Sequence, residues 1–176
     1  MYKGFPLLLG AGLLPELMMQ QACETIAKAC GCELISHNCG ESPRNVLASI
    51  STAIGLQRLC GDAARPHCNG GSWLEALADW RLPVLLLVPG DADGGIPGSG
   101  PAYAALCREL KVPLVGLVQL QGIWDEDRRR KDGLPWLGWI PEPSHVDHDE
   151  TVDVLSLLLC KCAFSFAAKE ATFAQV

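Results

Sequence analysis

Two glycine-rich loops carry the residue types that could hold an anion, a metal or an acid–base pair. Gly10-Ala11-Gly12 follows the apolar run Phe5–Leu9 and precedes a helical pattern. Glycines in that place let backbone N–H groups approach an anion at a helix N-terminus. Gly90-Asp91-Ala92-Asp93-Gly94-Gly95 follows the apolar run Pro83–Val88. In open α/β sheets ligands bind at the carboxyl ends of the strands. Asp91 and Asp93 are therefore candidate catalytic carboxylates, with an ordinary turn the equal alternative, and Gly94 and Gly95 are candidate ligand contacts.

Three further clusters have weaker chemical grammar. His145-Val146-Asp147-His148-Asp149-Glu150 could ligate a divalent metal or exchange protons. The favoured reading is a helix start, with Asp147 or Asp149 as N-cap and acids in the first turn. Cys30-x-Cys32 with His37-x-Cys39 is too tightly spaced for a zinc knuckle and lacks a second CxxC. Nine cysteines, an odd number, argue against a disulfide framework. No metal site is expected. Cys68 beside His67 is adjacency in sequence and implies no nucleophile pair.

The elements that must position these loops follow from apolar periodicity. Strands are expected at Phe5–Leu9, Glu33–His37, Pro83–Val88, Leu114–Leu120 and Trp136–Ile140. Helices are expected from Pro15 to about Ala29, closed by Gly31, and from Ser42-Pro43 with Val46, Leu47, Ile50 and Ile54 inward. Others are expected over Leu74–Trp80, Pro101–Leu110 and Thr151–Ala168. Residues 61–72 and 122–135 read as loops, and Arg128-Arg129-Arg130-Lys131 as a solvated, self-neutralising loop or helix end among acids. Alternating strands and helices give one α/β domain over residues 1–176, a three-layer fold with a mainly parallel sheet of about five or six strands. Leu7–Leu9, Val84–Val88 and Leu114–Val118 should be adjacent buried strands.

The net charge of −6 and the absence of a long basic patch exclude a nucleic-acid partner. No apolar run reaches the roughly 18–20 residues that span a bilayer, so no membrane partner is expected. The run Phe5–Leu9 is too short for a signal peptide, and a cytoplasmic protein is expected.

The second half of the chain resembles the dethiobiotin synthetase family and the related cobyrinic acid synthase-type P-loop proteins. The resemblance runs through Leu77-Ala78-Asp79-Trp80-Arg81-Leu82-Pro83-Val84-Leu85-Leu86-Leu87-Val88, a glycine-containing loop and a helix. It continues through Val112-Pro113-Leu114-Val115-Gly116-Leu117-Val118 and Pro135-Trp136-Leu137-Gly138-Trp139-Ile140-Pro141-Glu142. It covers about residues 69–160 and implies a P-loop-like fold, ATP-dependent ligase chemistry with ATP and Mg, and a homodimer with substrate across its interface. It places Gly10, Gly12, Gly70, Gly71 and Pro141 with Gly94 and Gly95 as candidate ligand-binding residues.

The first half departs from the family in chemistry. A P-loop reads GxxxxGK[ST], and in that place Leu17 stands for the Lys and Met18 for the hydroxyl residue. Pro15 removes an N–H and Glu16 repels phosphate. His37, in Ile35-Ser36-His37-Asn38, is the nearest substitute for the family's second-strand lysine. His67-Cys68-Asn69-Gly70-Gly71 keeps two glycines of the acidic metal motif without its carboxylate. Leu120, between Gln119 and Gln121, replaces the adenine-reading asparagine. ATP and Mg are thereby disfavoured. The expectation is a degenerate nucleotide site in a non-catalytic or regulatory homologue that binds a small molecule or nucleotide.

Two rivals remain on the same residues. One is an active ATP-dependent ligase using His37, Asp91 and Asp93. The other is a Rossmann-like nicotinamide or flavin binder, whose third glycine would fall at Pro15 and whose acid at Asn38 or Glu41. Five tryptophans (73, 80, 124, 136 and 139) supply apolar surface for self-association, with Trp124 or Trp136 expected near an interface or the ligand crevice.

Overall fold

The computed structural model describes residues 4–50, 55–68 and 70–173, with 163–173 as helix backbone alone. Ile54, Asn69 and residues 174–176 lie outside the described residues. The strands are β1 (Leu7–Gly10), β2 (Leu34–Asn38), β3 (Leu56–Cys60), β4 (Val84–Pro89), β5 (Leu114–Leu120) and β6 (Trp136–Ile140). The helices are α1 (Glu16–Ala29), α2 (Pro43–Ile50), α3 (Trp73–Asp79), α4 (Ser99–Leu110), α5 (Glu126–Lys131) and α6 (His148–Phe173).

All six strands form one parallel sheet in the order β2-β3-β1-β4-β5-β6. Leu7, Leu8 and Leu9 pair with Val84, Leu85 and Leu86, and β4 pairs in turn with β5. These central strands are continuously apolar because both their faces are covered. Leu7, Leu9, Val84, Leu86 and Val88 pack toward α2, α3 and α4, whereas Leu8, Leu85 and Leu87 pack toward α1 and α6. Each such leucine is fully buried, worth about 1.5–3 kcal/mol relative to exposure.

The expected adjacency of β1, β4 and β5 is therefore present, and α1 closes at Gly31, where Cys32 N–H reaches Ala27 O at 3.0 Å. Two elements are additions to the sequence reading. The strand β3 interrupts its apolar run with Gln57 and Arg58, both buried. The helix α5 lies inside the segment read as a loop, started by Asp125, whose carboxylate accepts from Arg128 N–H at 3.0 Å. Helix α6 starts at His148, three residues before the expected Thr151.

Candidate functional site

The sheet order reverses between β1 and β4, and a crevice there is the expected ligand position. The β1–α1 loop lies against the start of α4, so that a Cβ on Gly12 (φ +86) would sit 3.2 Å from Ser99 Cβ. Gly10 is buried, and its loop is held by Ala11 N–H to Leu87 O at 2.9 Å.

Open volume lies over the carboxyl ends of β1, β2 and β3. A crevice of about 790 Å³ is lined by Leu13 and Glu16 from the β1 side and Asn38, Cys39 and Gly40 from β2. The β3 side contributes Cys60, Gly61, Asp62 and residues 65–68. Its walls are tied to the helices behind them. Trp73 Nε1–H of α3 donates to Cys39 O at 2.9 Å, and the Tyr103 hydroxyl of α4 donates to the Asp62 carboxylate. Asp62 also accepts from Ala64 N–H at 3.0 Å.

Two thiols of this crevice are held protonated. Burial pushes the Cys39 thiol up to about 12 and raises that of Cys60, so both stay protonated at neutral pH and are poor nucleophiles. Tyr103 is held above the ordinary phenol range by burial first and by Asp62 second. Cys68 is exposed, with its sulfur 3.8 Å from His67 Nδ1.

Beside the crevice, Arg58 of β3 meets Glu16 at the first residue of α1, Nη2 to Oε1 at 2.8 Å. Its Nε–H donates to Ser36 Oγ of β2 at 2.7 Å. Glu16, read from sequence as a group that repels phosphate, is thus half of an ion pair with a buried cation. Leu17, which the P-loop resemblance sets in the lysine position, is 67% exposed on the helix surface, and Pro15 caps α1 without a side-chain hydrogen bond.

The candidate catalytic residues are not brought together. His37 is on β2, its Nε2 2.7 Å from Gln57 Oε1. Asp91 and Asp93 follow β4, three strand spacings away, or about 14 Å at about 4.8 Å per strand. Both aspartates belong to a closed turn. Asp91 N–H bonds Gly95 O at 3.0 Å, Gly94 N–H bonds Asp91 O at 3.1 Å, and Gly95 N–H bonds the Asp93 carboxylate at 2.9 Å.

That turn is clamped from α5. Arg128 Nη1 donates to Asp93 O at 2.9 Å and Arg129 Nη2 to Gly94 O at 2.5 Å. The Arg129 side chain is 5% exposed, pairs with Asp132 at 3.0 Å and lies 4.9 Å from the Trp136 ring centroid. This corrects the reading of Arg128–Lys131 as wholly solvated: the long Arg129 stem reaches inward from a polar helix. From β5, Gln119 Nε2 donates to Gln121 O and Ile123 O at 2.9 and 3.1 Å. Gly122 (φ +63) lies so close to the turn that a Cβ would be 2.5 Å from Gly90 C. Gln119 therefore fixes the loop next to the clamped turn.

The other expected contacts are dispersed. Gly70 and Gly71 sit on a turn where His67 N–H meets Gly71 O at 2.7 Å, beside a separate hollow of about 470 Å³. Pro141 is buried and lines a small cavity between α1 and β6. In the histidine cluster, Asp147 O accepts Thr151 N–H at 3.0 Å in the first turn of α6, and His148 meets Asp149 at 3.0 Å. Among the described residues no set of three His, Cys, Asp or Glu side chains could hold a metal ion.

Trp73 is buried, Trp80 is 44% exposed, and Trp124 packs edge-on to Trp136 at 5.9 Å, beside α5 and away from the crevice. Among the described residues no helix is long and apolar enough to cross a membrane. No protein-family model matches this chain, and no curated protein matches it.

Proposed function

We propose that the chain is a non-catalytic homologue of the dethiobiotin synthetase type, with a degenerate P-loop, that binds a small ligand over the ends of β1, β2 and β3. The observation that carries this reading is the Glu16–Arg58 pair at 2.8 Å. Phosphoryl transfer depends on positive charge placed around the transferring group. At the start of α1 the Arg58 cation is already paired with Glu16, and the proposed lysine position holds an exposed leucine. The crevice supplies hydrogen-bonding groups and protonated thiols, which suit recognition of a polar ligand better than covalent chemistry.

The half-buried indoles Trp124, Trp136 and Trp139 support pairing of two copies in the cytoplasm. Sedimentation equilibrium decides that part: a species of 18.9 kDa at micromolar concentration removes the dimer.

Calorimetric titration with Mg-ATP, Mg-ADP and NADPH tests the reading of the site. Weak or absent heats with all three are expected. Saturable Mg-ATP binding supports the active-ligase rival, and saturable NADPH binding supports the Rossmann-like one.

A further inference from the structure

Arg58 is an unusual residue for the interior of a parallel sheet. It sits on β3 between Leu8 of β1 and Ser36 of β2, with 8% of its side chain exposed. A guanidinium out of water must be paired and hydrogen-bonded, because an uncompensated buried charge is strongly unfavourable. Its donors are only partly used. Nε reaches Ser36 Oγ and Nη2 reaches one Glu16 oxygen, while Nη1 has no hydrogen-bond partner. Arginine recognises carboxylate and phosphate most strongly through two parallel N–H groups. The Glu16 contact is single-pronged, so the fork is left half-filled.

Its partner is poorly fixed. Glu16 is the first residue of α1, 57% of its side chain is exposed, and it lines the crevice. The Glu16 carboxylate, which also takes a hydrogen bond from the Cys60 thiol, leaves the buried Arg58 at small net cost only when another anion takes its place and keeps that charge paired. Swinging it aside would open Arg58 toward the crevice. The adjoining end of α1 has no side-chain cap, which leaves first-turn N–H groups to favour an anion in the same place.

We propose that Arg58 is an anion-recognition residue and that Glu16 is its built-in competitor. A ligand bearing a carboxylate or phosphoryl group would displace the Glu16 carboxylate and take both Nη donors. The inference rests on the crevice over β1–β3 being the ligand site, and it adds the chemical class of the ligand.

The test uses the full chain with pyrophosphate and succinate as separate probes, read by titration of the Arg58 Nε–H resonance and by thermal unfolding at matched ionic strength. Glu16→Ala is expected to bind at least one probe tenfold or more tightly than the wild type and to gain more thermal stability from it. Glu24→Ala, which removes an equal charge elsewhere on α1, is expected to match the wild type. Preference for pyrophosphate assigns a phosphoryl ligand, and preference for succinate a carboxylate.

Equal affinity in wild type and Glu16→Ala, or an Arg58 resonance unmoved in both, overturns the proposal. If Glu16→Ala is too unstable, Glu16→Gln keeps the side-chain length and should still bind more tightly than wild type. Tighter binding that moves Arg58 but leaves the Gly40, Gly61 and Cys68 amides unmoved upholds the Arg58 role and refutes the crevice, so the two readings fail separately.

Discussion

Replacing Arg129 by methionine should destabilise the protein far more than a surface charge on a six-residue polar helix would. Methionine keeps an unbranched stem in the same space, so packing loss is small. The guanidinium donates at 2.5 Å to Gly94 O, and its removal leaves that carbonyl without its charged donor. Hydrogen bonds from charged groups are worth about 1.5–3 kcal/mol. The guanidinium also lies 4.9 Å from the Trp136 ring centroid, a contact worth about 0.5–2 kcal/mol. Asp132 loses its ion pair but keeps Leu134 N–H at 2.9 Å and Trp136 Nε1 at 3.0 Å, and it is 25% exposed. It therefore avoids most of the penalty of an orphaned buried charge. The sum is about 2–5 kcal/mol, or about 4–20 °C in Tm at about 2–4 °C per kcal/mol for a chain of this size. Urea unfolding measures it, and hydrogen exchange at Gly94 and Ile123 should accelerate in the variant. A loss below about 0.5 kcal/mol, the usual range for surface substitutions, would refute the clamp and return Arg129 to the solvated reading.

Two other outcomes follow from the groups behind the crevice. Tyr103 is raised above the unfolded value of about 10. The native state therefore holds a proton that the unfolded chain releases, and its contribution, complete below about pH 10, is lost as pH rises further. Alkaline denaturation of Tyr103→Phe should lack that part of the slope; an unchanged slope contradicts the burial of the hydroxyl together with its Asp62 contact. Burial holds Cys23 and Cys39 at about 12, leaving about one part in 10⁴ as thiolate at pH 8. Exposed Cys68 should react ahead of Cys23 and Cys39 with an aromatic disulfide reagent, followed thiol by thiol by mass spectrometry; labelling of Cys23 or Cys39 as fast as Cys68 contradicts their shielding.

The central layer was legible because strands covered on both faces read as unbroken apolar runs, as Val84–Val88 does. Strand β3 was hidden by Gln57 and Arg58, each of which makes one side-chain hydrogen bond sideways to β2, with His37 and Ser36. A buried polar residue paired across strands leaves no periodicity. With β3 unseen, the loop from Gly61 to Cys68 had no strand end to belong to, and the crevice could not be placed. The helix α5 had a readable signal in Asp125 three residues before Arg128, but its charge hid the inward stem of Arg129. Asp91 and Asp93 were correctly placed at a strand end. Whether their carboxylates faced a ligand or closed a turn depended on N–H and arginine partners distant in sequence.

Steady-state phosphate release from Mg-ATP by the wild-type chain tests the central claim most directly. On the proposed reading, which sets exposed Leu17 in the lysine position and has Arg58 neutralised by Glu16, release should stay at the level of a buffer blank across the millimolar range of ATP. Saturable release that scales with protein concentration would contradict the account and show that other residues of this chain supply the missing charge.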